Sequence, residues 1–224
     1  MSTSQTESAR HFYDRISGVY DALADASEHR ARELGLRLLS PAGGQRVLEI
    51  GFGTGHALVE IAERLSPRGR VFGIDVSPGM LDVAQKRVDA AAVRERVEEL
   101  RIGDAKEMPY RSAWFDAVFL SFTLELFSAA DMSRVLAEIS RVLRPEGRLG
   151  VVSMHDDGRK STMVDLFRFL HRHFPHIFDC RPIDVRSHLE RAGFEVVASE
   201  GISIWGLPVL AAVARLRAAG ASGA

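Results

Sequence analysis

Residues Arg46 to Gly55 read RVLEIGFGTG, and this stretch constrains the fold of the chain more tightly than any other. Val47, Leu48 and Ile50 form a short apolar run suited to a strand buried on both faces of a parallel sheet. Glu49 falls at the C-terminal end of that strand, and Gly51, Gly53 and Gly55 follow at alternate positions. Glycines there let the backbone turn tightly and approach a ligand that a Cβ would keep away. Leu58, Ile61, Ala62 and Leu65 then recur at helical spacing, so the turn opens a helix whose first N–H groups are free. Strand, glycine turn and helix N-terminus together make a site for an anionic group. A glycine-rich turn with no ligand is the competing account, and the chain downstream has to decide between them.

The dinucleotide fingerprint G-x-G-x-x-G would place its third glycine where His56 stands. The pattern here is G-x-G-x-G with an acid two positions before the first glycine. It resembles motif I of the class I S-adenosylmethionine-dependent methyltransferases. The resemblance implies S-adenosyl-L-methionine as cofactor, with the Gly51, Gly53 and Gly55 turn at its carboxylate and Glu49 facing its ammonium through water. A dehydrogenase is disfavoured by His56.

The next elements repeat the arrangement. Arg70–Ile74 reads as a second strand ending in Asp75, at the strand tip where α/β nucleotide sites place a carboxylate for the ribose hydroxyls. Helix capping does not need Asp75, because Ser77 and Pro78 supply an N-cap and a first-turn proline. Met80 follows in the next helix, a core residue by default that the resemblance makes a candidate for packing on the adenine, and Val76 is a further cofactor-site residue that the resemblance implies. Val97–Ile102 is a third strand, charged enough to lie at an edge. It leads into Gly103-Asp104-Ala105 and Met108-Pro109, similar to the family segment in which an aspartate accepts a hydrogen bond from the adenine amino group. Asp104 as an ordinary turn residue is the alternative.

Trp114–Phe122, WFDAVFLSF, resembles motif II, the family's central strand; Ser121 would lie on the pocket floor. An amphipathic helix capped by Asp131 follows, and RVLRPEGRL resembles the family's R-x-L-x-P-G-G-x-L, with Glu146 in place of the first glycine. Arg144–Gly147 is expected to be a turn before a buried strand, Arg148–Met154. His155 then stands on the rim and is the candidate general base, since its intrinsic pKa is near neutral; a solvated loop histidine is the plainer account.

On the N-terminal side, residues 1–7 read as a disordered tail and 8–44 as a helical cap, with helices over Ala9–Ala26 and Ser27–Leu39. HFYDRISGVYD resembles the opening of the ubiquinone/menaquinone C-methyltransferase subgroup, which places Tyr20 at the cofactor; as plain helix residues, Tyr13 and Tyr20 would be half-buried. Residues 45–155 are the cofactor-binding core. Residues 156–224 carry a lid and the last strands, with helices over Ser161–His173 and Pro182–Ala192, a strand over Glu195–Glu200, and an antiparallel strand over Leu207–Leu216. A short membrane-surface helix is the alternative for that last stretch, but Arg215 and Arg217 offer little charge for it. His171, His173, His176 and Cys180 have metal-ligand types, but Pro175 interrupts them and no second cysteine is present, so no metal is expected.

The expected fold is therefore α/β: a Rossmann-like, doubly wound, mostly parallel seven-stranded sheet with helices on both faces and an N-terminal helical cap. A formal net charge of −1 gives no footprint for nucleic acid. The single cysteine and polar N-terminus suit a cytoplasmic protein with no stable membrane anchor. The resemblance implies methyl transfer to a small-molecule acceptor, quinol-like or otherwise apolar. A phospholipid or small-amine N-methyltransferase stays close behind; an aminopropyltransferase or a non-catalytic cofactor-binding protein is further off. Oligomeric state is left open between monomer and homodimer.

Overall fold

The computed structural model describes residues 28–156, 182–204 and 206–217. In chain order it gives a helix α1 over residues 28–39, then β1 (Arg46–Ile50), α2 (His56–Arg64), β2 (Arg70–Asp75), α3 (Pro78–Ala90), β3 (Val97–Ile102), β4 (Phe115–Ser121), α4 (Ala129–Val142), β5 (Leu143–Met154), α5 (Val185–Arg191), β6 (Phe194–Ile204) and β7 (Leu207–Leu216). The strands form one seven-stranded sheet in the order β3-β2-β1-β4-β5-β7-β6. Pairs β1·β2, β1·β4, β2·β3 and β4·β5 are parallel. β7 runs antiparallel to both neighbours. The order reverses between β2-β1 and β4, so the crevice beyond the ends of β1 and β4 is the topological switch point, where open α/β sheets hold ligands.

The alternation of side chains along each strand sorts the core into two layers. Leu48, Ile50, Phe72, Val118, Leu120 and Val151 point to the face covered by Val135, Ile139 and Val142 of α4 and Val185 and Leu189 of α5. Their neighbours Val47, Val71, Ala117, Phe119 and Val152 point the other way, onto α1, α2 and α3. The central strands are thus apolar on both faces, which accounts for the unbroken hydrophobic runs in the sequence. α1 lies in the same layer as α2 and α3 and covers the sheet itself. A Cβ on its Gly35 would come within 2.3 Å of Val152 Cγ2, so the helix rests directly on β5.

Several local expectations are corrected. α4 is capped by Ser128, whose side chain accepts from Asp131 N, and Asp131 occupies the first turn instead. Arg144–Gly147 is not a free turn. It belongs to β5, where register jumps from Phe115↔Leu143 to Ala117↔Arg148, leaving a wide bulge. Asp116 lies opposite the bulge and binds both Arg46 N and the Arg144 guanidinium, which fixes the irregularity. α5 starts at Val185, capped by Asp184, later than the sequence suggests. β6 runs on to Ile204, because the hairpin with β7 keeps pairing as far as Leu207. β3 does lie at an edge and Leu207–Leu216 is the antiparallel strand. Tyr20 and the helices expected over Ala9–Ala26 and Ser161–His173 lie outside the described residues, as does Cys180.

Candidate cofactor site

The glycine turn sits at the switch point and is held from three sides. Gly51 N donates to Ile74 O at 2.8 Å, and Gly55 N donates to Phe52 O at 2.8 Å. Gly51, Gly53 and Gly55 all have positive φ, at 71°, 49° and 82°. Side chains other than glycine rarely accept this left-handed region. The three positions differ in what surrounds them. A Cβ at Gly51 would lie 2.4 Å from Thr123 Cγ2, and one at Gly55 3.0 Å from Ala84, whereas a Cβ at Gly53 meets nothing within 4 Å. Gly51 and Gly55 are glycines because the protein packs on them; Gly53 faces open space, where a ligand could approach the bare backbone.

From α3, Arg87 clamps the turn's outer edge, its Nε donating to Thr54 O at 2.8 Å. Gly55 caps α2 without a side-chain acceptor, so the first-turn N–H groups of α2 are left to solvent or an anion. His56, which breaks the dinucleotide fingerprint, lies beside Arg87, with Nδ1 3.2 Å from its guanidinium.

Asp75 ties the turn to the next two strands. One carboxylate oxygen accepts from Gly53 N at 2.8 Å and the other from Ser77 N at 2.9 Å, while its carbonyl accepts from Gly103 N at 2.9 Å. A carboxylate has about four acceptor sites, so about two remain for other donors. Val76 beside it is 70% exposed and Met80 39% exposed, an apolar lip that is uncovered among the described residues. Exposed Ile102 extends that lip from β3. Ala105 is buried, and Asp104 forms a turn, accepting from Lys106 N at 2.9 Å with its other oxygen 3.4 Å from Lys106 Nζ.

Glu49 is 3% exposed, and its Oε2 has no hydrogen-bond partner. Burial holds its carboxyl well above the usual range; Arg32 opposes that shift, and Glu60 and Asp75 add to it. A buried acceptor oxygen left open behind a glycine turn fits a cationic group.

Ser121 is the last residue of β4, paired with Val152. Its carbonyl accepts from Thr123 Oγ1 at 3.0 Å, and Thr123 is the side chain that closes on Gly51. Phe122 between them has φ 51°, a costly conformation for an aromatic residue and one that clusters at functional sites. His155 is joined to the opposite rim: its N donates to Pro208 O at 2.9 Å and its Nδ1 donates to Ile183 O at 3.2 Å.

Arg32 has no signal in the sequence, and Thr123 and Glu125 fall within the stretch from Phe122 to Phe127 expected to line the route from cofactor to acceptor, with no individual role. Arg32 of α1 is 6% exposed and donates to Glu60 Oε1 at 2.8 Å. Thr123 packs on the glycine turn. Glu125 is 1% exposed, with Oε1 accepting from Met154 N at 3.1 Å and Oε2 unpaired. A glutamate inside the apolar run LEL was the available signal for the last of these.

The fold and this crevice define a class, the open α/β sheets whose ligand crevice lies beyond the strand ends at the topological switch point. Residues 47–147 match the methyltransferase domain family. The matched stretch runs from β1 into β5 and so contains the glycine turn, Asp75 and Ser121. The chain is 36% identical over 143 residues to nocamycin O-methyltransferase of Saccharothrix syringae, covering 62% of this chain and 48% of that protein. It is 39% identical over 137 residues to demethylmenaquinone methyltransferase of Deinococcus radiodurans, covering 61% and 53%. The chain thus spans about half the length of these curated relatives. The fold is also that of the 1,6-didemethyltoxoflavin-N1-methyltransferase of Burkholderia thailandensis, with a TM-score of 0.63 at 20% identity, covering 96% of this chain and 91% of that one.

Proposed function

We propose that the protein is a methyltransferase that takes its methyl group from S-adenosyl-L-methionine and delivers it to a small apolar acceptor of quinol type. The observation that carries this reading is the polarity of the crevice: uncapped main-chain donors at the start of α2 beside the bare backbone of Gly53, a buried carboxyl with a free oxygen at Glu49, and a part-satisfied carboxylate at Asp75. The glycine turn and α2 would hold the methionine carboxylate, Glu49 the ammonium and Asp75 the ribose. Val76 and Met80 would cover the adenine, with Asp104 and Ala105 at its amino edge. The bound cofactor supplies an electrophilic methyl group on a sulfonium.

The protein's own task is positioning. Ser121 and the strained Phe122 end β4 against the glycine turn and would set where an acceptor lies. Alignment and exclusion of water can contribute about 7–11 kcal/mol in favourable systems. His155 is the proposed base for an acceptor that loses a proton. With Nδ1–H donating to Ile183 O, its Nε2 keeps the lone pair that such a step needs. The relatives named for demethylmenaquinone favour a quinol-like acceptor over a phospholipid or small-amine acceptor. We further propose a cytoplasmic protein; among the described residues, no helix is long and apolar enough to cross a membrane.

The test has two stages. Calorimetry should show S-adenosylmethionine binding in preference to NAD and to decarboxylated S-adenosylmethionine. Labelled-methyl transfer is then measured with reduced 1,4-naphthoquinones, phosphatidylethanolamine vesicles and small amines. Binding without transfer to any of them would leave a cofactor-binding protein, and no binding would remove the reading altogether.

A further inference from the structure

Behind the glycine turn the carboxyl of Glu49 is faced by the buried Arg32 guanidinium and by two further carboxylates, and the hydrogen bonding of these groups is unequal. Arg32 commits its Nε to Glu60 Oε1 at 2.8 Å and lies 3.3 Å from His29 Nδ1 through a terminal nitrogen. Asp75 has each oxygen on a backbone N–H. Glu49 receives only the through-space attraction of Arg32, and its buried Oε2 has no partner. The charges facing Glu49 are Arg32 from α1, Glu60 from α2 and Asp75 from β2, so two of the three oppose its ionisation. Burying an ionised carboxylate without a bonded cation is far costlier than burying the acid. Burial with no bonded cation therefore favours the protonated form of Glu49.

We propose that Glu49 is a proton-exchanging counterion, which gives up its proton when a ligand ammonium is placed against its free oxygen, and that Arg32 and Glu60 are the positioning residues that set where on the pH scale this exchange occurs. The inference rests on the cofactor reading above. The exchange balances simply: the O–H bond of Glu49 breaks, its proton goes to solvent, and the resulting carboxylate pairs with the ammonium. No electron or group is transferred. A pair formed in a dry site is strong, but it forms only after a proton has left, so binding favours higher pH. The arrangement also selects a ligand chemistry, because an adenosyl ligand without an ammonium cannot discharge the acid.

Titration calorimetry with S-adenosylmethionine, repeated in buffers of different ionisation enthalpy, counts the protons released. It is run between pH 5.5 and 7, where an α-amino group, with a pKa of about 7.7–8.0, stays protonated. Release approaching one proton per ligand is expected, with affinity rising up to about tenfold per pH unit. The probe 5′-methylthioadenosine, which lacks the ammonium, should release none. Glu49→Gln, which keeps size and shape, should abolish release and flatten the pH dependence. Arg32→Gln should move the release window to higher pH and Glu60→Gln to lower pH; a merely structural role for the pair gives no such opposed shifts. Should Arg32→Gln fail to fold, Glu60→Gln and Glu49→Gln decide the matter alone. Binding of S-adenosylmethionine with no proton released, or equal release in Glu49→Gln, overturns the proposal while sparing the cofactor reading. Absence of binding overturns both.

Discussion

Asp75 and Gly53 are joined by a hydrogen bond of 2.8 Å from the glycine N–H to the carboxylate, so the acid at the end of β2 shapes the turn at the end of β1. A residue with this double duty should respond differently to two substitutions. Asp75→Ala removes the turn's anchor together with the proposed ribose acceptor and is expected to weaken S-adenosylmethionine binding at least tenfold. Asp75→Asn keeps one acceptor oxygen and should lose less. Calorimetry of both variants checks the order, and wild-type affinity in Asp75→Ala would remove this residue from the site.

The glycines of the turn should separate stability from binding. Gly51→Ala places a Cβ 2.4 Å from Thr123 at a φ of 71°, combining overpacking with backbone strain. Each effect costs about 1–3 kcal/mol, so the variant should lose several kcal/mol in denaturant unfolding. Gly53→Val has open space around it but also a φ of 49°. A stability loss of about 1–3 kcal/mol is expected there, with cofactor affinity down at least tenfold. Comparable stability losses with intact binding in both would contradict the assignment of Gly53 to the ligand side.

Glu125 predicts a pH dependence of stability. Burial raises its carboxyl to about 7, against opposing hydrogen bonds from the backbone of Glu125 and Met154 and from Ser153. The folded state binds the proton more tightly than the unfolded chain does. Its contribution is therefore complete below the unfolded pKa near 4.5, declines as pH rises from there, and is gone above about 7. The span corresponds to about 3 kcal/mol. Glu125→Gln keeps an acceptor for Met154 N and should flatten this limb in urea unfolding measured from pH 5 to 8. An unchanged slope would show that Glu125 ionises normally.

His155→Ala tests the proposed base. At saturating cofactor, with an acceptor that must lose a proton, turnover should fall about 10²–10⁴-fold and lose its acid limb. Turnover unchanged across pH would assign the histidine to joining β5, Ile183 and Pro208 and nothing more.

Most of the sheet could be read from the sequence because β1, β2, β4 and β5 are buried on both faces, which leaves unbroken apolar runs that no surface element shows. The positions of Gly51, Gly53, Gly55 and Asp75 followed from those strands. The bulge at Arg144–Gly147 was hidden, since Pro145 and Gly147 look the same in a turn as in an irregular strand; only Asp116 on the facing strand distinguishes them. Ser128 was overlooked as a cap because Asp131, one turn later, has equal capping chemistry. Arg32 and Glu125 were illegible for another reason. A charged residue on a helix or after a strand reads as solvated, and its burial depends on elements far away in the chain.

β7 runs back between β5 and β6, so the bend that starts it stands level with the end of β5, and Pro208 is bonded there to His155. The β6–β7 hairpin would thereby border the acceptor side proposed at His155, on strands set apart in the sheet from β1 and β2. Changes of length or bulk near Gly206 could retune which molecules are admitted while leaving the nucleoside grip intact, giving this scaffold separate dials for donor and recipient.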